Sequence, residues 1–431
     1  RSRLDRQGVR QRVRLHLTMF ASPVRLPPVP AFAGSSGLAP PDGGATAVAA
    51  GAAVAVGASG AGAEAAAAGR GGGAGAYRVE ELELGGGGSD SASIARLYLW
   101  PAAVAAECAV GGGGGGGGGN VVLLCLHGAG DAALVWAPLA SRLVASGSVP
   151  GLTVAAVDLR GHGEAEAEAE ASGEGGSAEG GAAEVDLSVD RLVEDTLEVV
   201  EALSRRFRGA DLVLVGHSLG GSIAARAADA AARRRQLPVR AAAVIDAVEG
   251  TALEVLPRTM AWLQARPASF ESIEAAAAWC LSSGMLQGAS RAAAETSVRA
   301  RLRWDSAQKA WLWRADVAGA SRFWTGWFEG LSTIFVNLPL PKMLIVGSLD
   351  RLDAALEASH MQGRFKLEIV PHTGHQVHED RPEEVARALC GFLLGVQRQR
   401  AAFARLHQGG AAARTNGHQV AVGMLDPKAA A

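Results

Sequence analysis

The sequence predicts an α/β protein whose sheet is mostly parallel and is covered by helices on both faces. Short apolar runs, such as 121–128 and 152–159, lack the polar alternation of half-exposed strands and indicate strands buried on both faces. Helical patterns separate these runs, which is the order of elements that parallel strands require. The stretch from about 252 to 335 breaks this alternation, and we interpret it as an inserted helical cap.

The predicted strands and helices alternate along the chain. The strand at 121–128 is followed by a helical pattern near 137–145 and by the strand at 152–159. A helix over 188–207 has its apolar residues on one face, and Ser188 is placed as its N-cap. The later predicted elements are a strand at 211–215, a helix from about Leu219, strands at 240–248, 341–348 and 365–371, and a helix over 381–394.

Low-complexity sequence precedes these elements. Residues 27–76 are mostly alanine, glycine, proline and serine, and such a segment buries too little apolar surface to offset the entropy of ordering. The first residues are arginine-rich and almost free of acid, a composition typical of a transit peptide, but we interpret 1–18 as translated upstream sequence or an unstructured tail. We therefore expect 1–76 to be a disordered amino-terminal region.

Two further low-complexity segments interrupt the part of the chain that we expect to fold. Residues 111–119 are all glycine, and 164–184 are acidic and rich in glycine and alanine. We expect both to be loops within an α/β domain that spans 77–395, followed by a carboxyl-terminal tail over 396–431.

The composition argues against several classes of function. The net charge of −2 gives no support for a nucleic-acid partner, and no apolar run is long enough to span a membrane. The four cysteines stand far apart and form no C-x-x-C pair, which indicates a reducing compartment and neither disulfides nor a zinc site. We expect a cytoplasmic protein, with the nucleus as a further location, that needs no metal and no cofactor.

The stretch "LVLVGHSLGG", residues 212–221, carries the pattern G-x-S-x-G around Ser218. A strand before this pattern and a helix after it are the context of a nucleophile elbow, in which Gly216 and Gly220 allow a sharp turn. The N-terminal N–H groups of the following helix then point at the site. The alternative is a serine that only caps the helix; the flanking strand and helix favour Ser218 as a nucleophile.

A serine hydroxyl needs a base to become nucleophilic, and the chain has a late cluster of histidines. The stretch "PHTGHQVHED" carries His372, His375 and His378 after the last predicted strand and before the last helix. In serine hydrolases built on such sheets, the histidine base occupies this position. His375 follows a glycine at the centre of the loop and is our choice, with His378 as the alternative. His127 and His217 flank turns, and we interpret both as structural.

An acid must hold the imidazole in the right tautomer, and the spacing leaves two positions open. Asp350 follows the strand before the histidine strand, where many such hydrolases carry the acid, and Asp353 stands behind it. Asp246 follows the strand one earlier. Spacing alone slightly favours Asp350.

The oxyanion of the tetrahedral intermediate needs two hydrogen-bond donors. The amide of Leu219, directly after the serine, is one. The stretch "HGAG", residues 127–130, follows the first buried strand and is expected to supply the other from Ala129. The alternative for "HGAG" is a plain turn, which its occurrence together with an elbow and a late histidine disfavours.

With these residues in place, the sequence resembles the α/β-hydrolase superfamily and, within it, the protein phosphatase methylesterase family. The strings "LCLHGAGDAALVWA", "VDLRGHGE", "LVGHSLGGSIA" and "GHQVHED" are widespread among α/β-hydrolases in looser form. The strings "VIDAVEGTA", "WFEGLS" and "MQGRF" are much more specific. The resemblance covers about residues 77–395, interrupted by the glycine run and the acidic insert.

The resemblance implies an α/β-hydrolase fold and a serine carboxylesterase that removes the methyl ester from the C-terminal leucine of the protein phosphatase 2A catalytic subunit. It implies Ser218 as the nucleophile and His375 as the base. It also implies that the acid is Asp246, the aspartate of "VIDAVEG", and Asp350 becomes the fallback. The long tracts and the acidic insert depart from the family pattern but leave these residues intact.

Aromatic side chains are concentrated in the predicted cap, which holds seven of the nine tryptophans. Such side chains anchor protein interfaces, and they equally pack a cap onto a sheet. The sequence leaves two other functions open: a general esterase for small molecules, and a non-catalytic phosphatase-binding protein.

Overall fold

Parallel strands form the centre of the protein. The structure is a computed structural model that describes residues 68–69, 77–84, 93–101, 120–164, 185–234 and 237–422. In this described part, the strands in chain order are β1 (Ala68–Gly69), β2 (Tyr77–Leu84), β3 (Ser93–Pro101), β4 (Val121–Leu126), β5 (Leu152–Val157), β6 (Asp211–His217), β7 (Val239–Ile245), β8 (Ser269–Phe270), β9 (Leu302–Asp305), β10 (Ala310–Trp313), β11 (Lys342–Val346) and β12 (Lys366–Ile369). Nine of these strands form one sheet, in the order β1-β2-β3-β5-β4-β6-β7-β11-β12.

The larger part of this sheet is parallel, as the apolar runs predicted. Strands β5, β4, β6, β7, β11 and β12 pair in parallel with one another in this order. Strands β4, β5 and β6 are buried along their whole length. Alternate side chains of β4 enter two different apolar clusters, Leu124 on one side and Leu123 on the other. The sheet therefore has a core on each face, which is what a run without polar alternation requires.

Helices cover both faces of the sheet. The described helices are α1 (Ala137–Ala145), α2 (Val189–Arg206), α3 (Leu219–Arg234), α4 (Glu249–Ala265), α5 (Ile273–Ser282), α6 (Arg291–Arg301), α7 (Trp324–Phe328), α8 (Leu331–Asn337), α9 (Ala354–Met361), α10 (Val377–Asp380) and α11 (Pro382–Val422). Helices α1 and α11 pack on the face that includes Leu123, and α2 and α3 pack on the opposite face. Ser188 caps α2, as predicted, because its side chain accepts from the Arg191 amide at 3.3 Å. Within the described residues, no helix has both the length and the apolarity to cross a membrane.

An antiparallel edge of the sheet is absent from the sequence prediction. Strand β3 pairs antiparallel with both β2 and β5. Three glutamates interrupt the apolar residues of β2. Two of them form ion pairs, Glu81 with Arg96 at 3.2 Å and Glu80 with Arg206 at 2.7 Å. Because its charged residues interrupt the apolar ones, β2 has no continuous apolar run from which a strand could be predicted.

The predicted low-complexity segments are described only in part. Strand β1 pairs with the start of β2 and lies inside the region 1–76 that we expected to be disordered, so two residues of that region are ordered. The rest of that region and the glycine run at 111–119 lie outside the described residues. Of the acidic insert, Glu164 alone is described, and it forms an ion pair with Arg96 at 2.6 Å.

The region predicted as a helical cap also contains a small sheet. Between β7 and β11 the described chain forms α4 to α8 together with the antiparallel strands β8, β10 and β9. Trp304 and Trp311 face each other across the β9–β10 hairpin with ring centroids 5.6 Å apart. Trp324 and Trp327 are buried, whereas Trp262 and Trp304 are 38% and 49% exposed. The cap tryptophans therefore divide between packing and surface positions.

The last helix is longer than predicted. Helix α11 runs from Pro382 to Val422, so the segment assigned to a tail, 396–431, is helical as far as Val422. Its early residues Val385 and Leu389 are buried against the sheet, which accounts for the periodic pattern over 381–394. Beyond that point the sequence is rich in alanine, glutamine and arginine, which favour helix without an apolar face.

Candidate active site

Ser218 lies at a sharp turn between β6 and α3. Its φ of 53° is in the left-handed region, which is uncommon for a residue with a side chain. The turn needs Gly216, because a Cβ on that residue would lie 1.9 Å from the carbonyl oxygen of Gly220. The Ser218 amide donates to the carbonyl oxygen of Ile245 at 3.0 Å, which fixes the turn to the neighbouring strand. The turn has the geometry of a nucleophile elbow.

The elbow packs against the loop that follows β4. A Cβ on Gly220 would lie 2.2 Å from the carbonyl oxygen of Leu126 and 2.5 Å from that of His127. Leu219 is the first residue of α3, so its amide has no acceptor within the helix. The start of α3 and the "HGAG" loop are thus neighbours, as two donors to one oxyanion require.

Two neutral imidazoles hold the "HGAG" loop. The Gly130 amide donates to Nε2 of His162 at 3.0 Å, and Nδ1 of His127 donates to the carbonyl oxygen of Gly128 at 2.8 Å. Burial, and next the neighbouring His162, lower the pKa of His127 to about 3, and burial also lowers the pKa of His162. His127 is therefore structural, as predicted. Because the Gly130 amide is occupied, Ala129 remains the predicted donor from this loop.

His375 lies in the loop between β12 and α10, at the carboxyl ends of the parallel strands. Its Nδ1 donates to Oδ2 of Asp246 at 2.7 Å, and its side chain is 53% exposed. Its backbone carbonyl accepts from Nε2 of His217 at 2.9 Å, which ties the loop to the residue before Ser218. The structure therefore brings His375 both to an acid and to the elbow strand.

Asp246 directly follows β7 and is almost entirely buried. Its side chain is 4% exposed and its φ of 50° is again in the left-handed region. Its amide donates to the carbonyl oxygen of Ile345 at 2.8 Å, so two strands fix its backbone. The guanidinium of Arg351 contacts the same oxygen, Oδ2, that accepts from His375.

The alternative residues have other positions. Asp350 lies on an exposed turn, 349–351. Asp353 caps α9, because its Oδ1 accepts the amide of the third helical residue at 2.9 Å. His378 is 1% exposed, with its ring 4.3 Å from that of Trp136 and 4.7 Å from that of His217, and burial holds its pKa well below the usual range. The acid in contact with His375 is the one that the resemblance implied, not the one that spacing favoured.

A buried charged cluster joins three segments that the sequence analysis did not connect. Arg301, at the end of α6 in the cap, donates to Asp131 at 2.7 Å and pairs with Glu379 of α10, and all three side chains are at most 3% exposed. Asp131 follows the "HGAG" loop, and Glu379 follows the histidine loop. Burial opposes the charge on Asp131, but Arg301 and then His217 hold its pKa below the usual range. Arg301 therefore joins the cap to both loops of the site.

Asp380 makes a second connection between the cap and the histidine loop. Its Oδ2 accepts from the Gly374 amide at 2.7 Å. Its Oδ1 accepts from the amides of Gln287 and Gly288 in the cap at 2.9 and 3.0 Å. One buried carboxylate thus satisfies three backbone donors, which explains the last residue of the string "GHQVHED".

The arrangement is suited to acyl transfer. A serine at an elbow, an imidazole held by a buried carboxylate, and a helix start beside the "HGAG" loop are groups that can form and resolve an acyl-enzyme. In the described part of the chain, no three or more His, Cys, Asp and Glu side chains are grouped to hold a metal ion.

Comparison with known proteins places this site in a family. Residues 122–388 match the alpha/beta hydrolase family. The chain is 36% identical over 270 residues to the probable protein phosphatase methylesterase 1 of Caenorhabditis elegans, covering 62% of this chain and 67% of the relative. It is 37% identical over 273 residues to the protein phosphatase methylesterase 1 of Schizosaccharomyces pombe, covering 63% and 74%. For the Homo sapiens protein of that name, the identity is 31% over 312 residues, covering 63% and 75%.

Solved structures show the same fold. A peroxisomal alpha-beta-hydrolase of Saccharomyces cerevisiae superposes with a TM-score of 0.56 at 13% identity, covering 78% of this chain and 96% of that one. An E-2-(acetamidomethylene)succinate hydrolase gives a TM-score of 0.50 at 21% identity, covering 69% and 95%. These likenesses concern the fold, whereas the sequence relatives also share the more specific name. The chain belongs to the protein phosphatase methylesterase family of α/β hydrolases.

Proposed function

We propose that this serine esterase removes the methyl ester from the C-terminal leucine of the protein phosphatase 2A catalytic subunit. The observation that carries the proposal is the hydrogen bond between His375 and the buried Asp246, at the sheet edge that also holds the Ser218 elbow. The names of the sequence relatives supply the ester and the class of substrate. We further propose a cytoplasmic and nuclear location, where a phosphatase substrate would be met.

The reaction proceeds through an acyl-enzyme. His375 takes the proton of Ser218 as the Oγ attacks the ester carbonyl, and the negative oxygen accepts from the amides of Ala129 and Leu219. Asp246 keeps Nδ1 of the imidazole protonated, so that Nε2 is free to act as the base. Methanol leaves with the proton from His375. A water molecule, activated by the same histidine, then releases the carboxylate of the leucine.

The exposure of the site suits a substrate at the end of a protein chain. Half of the His375 side chain is open to solvent, so an ester on a protruding tail can reach it. Trp262 and Trp304 expose aromatic surface on the cap, and such side chains commonly anchor protein partners. These features favour a protein substrate over a small molecule enclosed in a pocket.

Relative turnover of three esters tests the proposal. The substrates are methylated intact phosphatase, an acetylated peptide with the same leucine methyl ester, and p-nitrophenyl acetate. We expect kcat/KM to be highest for intact phosphatase. Activity on p-nitrophenyl acetate alone would show a general esterase. Phosphatase binding without fluorophosphonate labelling of Ser218 would show a non-catalytic binding protein.

A further inference from the structure

Arg351 makes a contact that the acyl-transfer mechanism does not require. Its guanidinium lies against Oδ2 of Asp246, and a second nitrogen donates to the carbonyl oxygen of Gly374 at 3.4 Å. Gly374 directly precedes His375, whose Nδ1 donates to the same Oδ2 at 2.7 Å. One arginine therefore touches both the acid and the loop that carries the base.

We propose that Arg351 is a positioning residue that shares the Asp246 carboxylate with His375 and thereby keeps the imidazole in its neutral, basic form. The inference rests on the proposed roles of Asp246 and His375. Arg351 adds a permanent positive charge to the pair of Asp246 and His375, and the sequence analysis did not assign it to the site.

The place of Arg351 in the fold supports a fixed rather than a fluctuating contact. It ends the turn 349–351 after β11, and its carbonyl oxygen accepts from Oγ1 of Thr251 in α4 at 2.7 Å. Its side chain is 22% exposed and the carboxylate it contacts is 4% exposed. The turn that holds Asp350 thus brings a cation to the acid at the end of the neighbouring strand β7.

The charges around His375 decide the sign of the effect. Asp246 and Arg351 face the imidazole from the ends of β7 and β11. The ring of His217 lies 4.7 Å away, His378 interacts with the imidazole, and Asp380 accepts from the amide before it. Among these groups Arg351 is the permanent cation. Its charge disfavours a second positive charge on His375. It also interacts with the Asp246 oxygen that would otherwise stabilise a protonated imidazole.

Removal of this charge should alter the pH dependence of turnover. Without Arg351, the whole carboxylate charge favours the protonated imidazole, so a higher pH is needed to obtain the neutral base. In Arg351→Gln the acid limb of kcat/KM should move to higher pH by about one unit. Arg351→Lys keeps the charge, so its limb should stay close to that of the wild type even if turnover falls.

The experiment measures methanol release from an acetylated peptide ending in leucine methyl ester, between pH 5 and 9. The matched control is Arg191→Gln, because Arg191 is 21% exposed and pairs with the buried Asp195 at 2.7 Å on α2, which carries no proposed site residue. Its acid limb should coincide with that of the wild type. Thermal melting of each variant establishes that it is folded.

Several results would overturn the inference. One is an acid limb of kcat/KM in Arg351→Gln that stays at the wild-type pH. Another is an acid limb in Arg351→Lys that moves by the full pH unit although the charge is kept. The lysine variant decides the matter if the glutamine variant does not fold. A wild type that hydrolyses no ester would overturn the proposed function, and this inference with it. An active wild type with an unmoved limb would overturn this inference alone.

Discussion

Two residues of the site occupy backbone conformations that residues with side chains seldom adopt. Ser218 and Asp246 have φ values of 53° and 50°, and each follows directly after a parallel strand. Such conformations cost about 1–3 kcal/mol and persist where the surrounding structure fixes them. Here the Ile245 and Ile345 carbonyl oxygens accept from the two amides. Two of the four described residues other than glycine with positive φ are thus the proposed nucleophile and the proposed acid.

The two aspartates that the sequence left open should differ sharply in their effect on turnover. Asp246→Asn leaves His375 without an acid and should lower turnover of a methyl ester by about 10⁴, as loss of the orienting acid does elsewhere. Asp350→Asn alters an exposed turn and should retain measurable activity. Steady-state kinetics on both variants, after thermal melting shows that each is folded, checks this. The reverse order would return the acid to Asp350.

At the scale of residues, local patterns predicted some of the site but not the acid. Ser218 could be identified because strand, glycine pattern and helix are contiguous in sequence. The acid could not, because spacing places Asp246 and Asp350 on neighbouring strand ends and cannot say which side chain turns toward His375. The contacts of Arg351 and Arg301 could not be predicted, since their partners are 105 and 170 positions away.

At the scale of elements, the elbow depends on a close approach of α3 to β4. Gly220→Ala would place a Cβ 2.2 Å from the Leu126 carbonyl oxygen, a backbone atom that cannot move aside. We expect the free energy of unfolding to fall by about 3 kcal/mol or more. Urea denaturation measures this.

A helical glycine with free space around it supplies the control. A Cβ on Gly395 in α11 would meet nothing within 4 Å, so Gly395→Ala should raise the free energy of unfolding by about 0.5–1 kcal/mol. If Gly220→Ala were as stable as the wild type, the close packing of elbow and loop would be wrong.

Most of the strands that the sequence predicted are buried on both sides, and the exception is the edge strand β12. The runs 121–128 and 152–159 are recognisable because the strands within them are apolar at every position except Thr153. The sequence did not predict β2, which is charged and half exposed. It also did not predict β9 and β10, which are four residues each and lie in a cap predicted to be helical. Their pairing depends on tertiary partners, which a local pattern does not contain.

At the scale of the whole molecule, buried polar groups connect the cap to the sheet domain. Arg301 and Asp380 each bridge the cap and the histidine loop, and neither is more than 3% exposed. Removal of one member of a buried ion pair leaves an uncompensated charge. The cap and the loops that carry the site are therefore one connected unit in which a change at one affects the others.

Buried neutral histidines should make the protein less stable in mild acid. Burial is the main cause that lowers the pKa of three histidines. It lowers the pKa of His127 to about 3, and it also lowers those of His162 and His378. In the unfolded chain these rings protonate below about pH 6.5, so stability present above that pH is lost as the pH falls toward the folded values. Asp158 opposes this trend, because burial raises its pKa to about 6 and stability is gained as the pH falls below that value.

The net effect between pH 7.5 and 5.5 should be a fall in the free energy of unfolding, measured by urea denaturation. His378→Leu should make this fall smaller. His360 is exposed on α9, and His360→Leu should leave the pH dependence as it is. A free energy that stays constant or rises toward pH 5.5 would contradict the burial of these rings.

The proposed function is tested most directly by the loss of methyl from intact methylated protein phosphatase 2A, followed as released methanol, with wild-type protein and with folded Ser218→Ala. We expect complete demethylation by the wild type and a rate about 10⁴–10⁶ lower for the variant, since the nucleophile is lost while the fold remains. Methyl that persists with the wild type, or equal loss with both proteins, would contradict the proposed function.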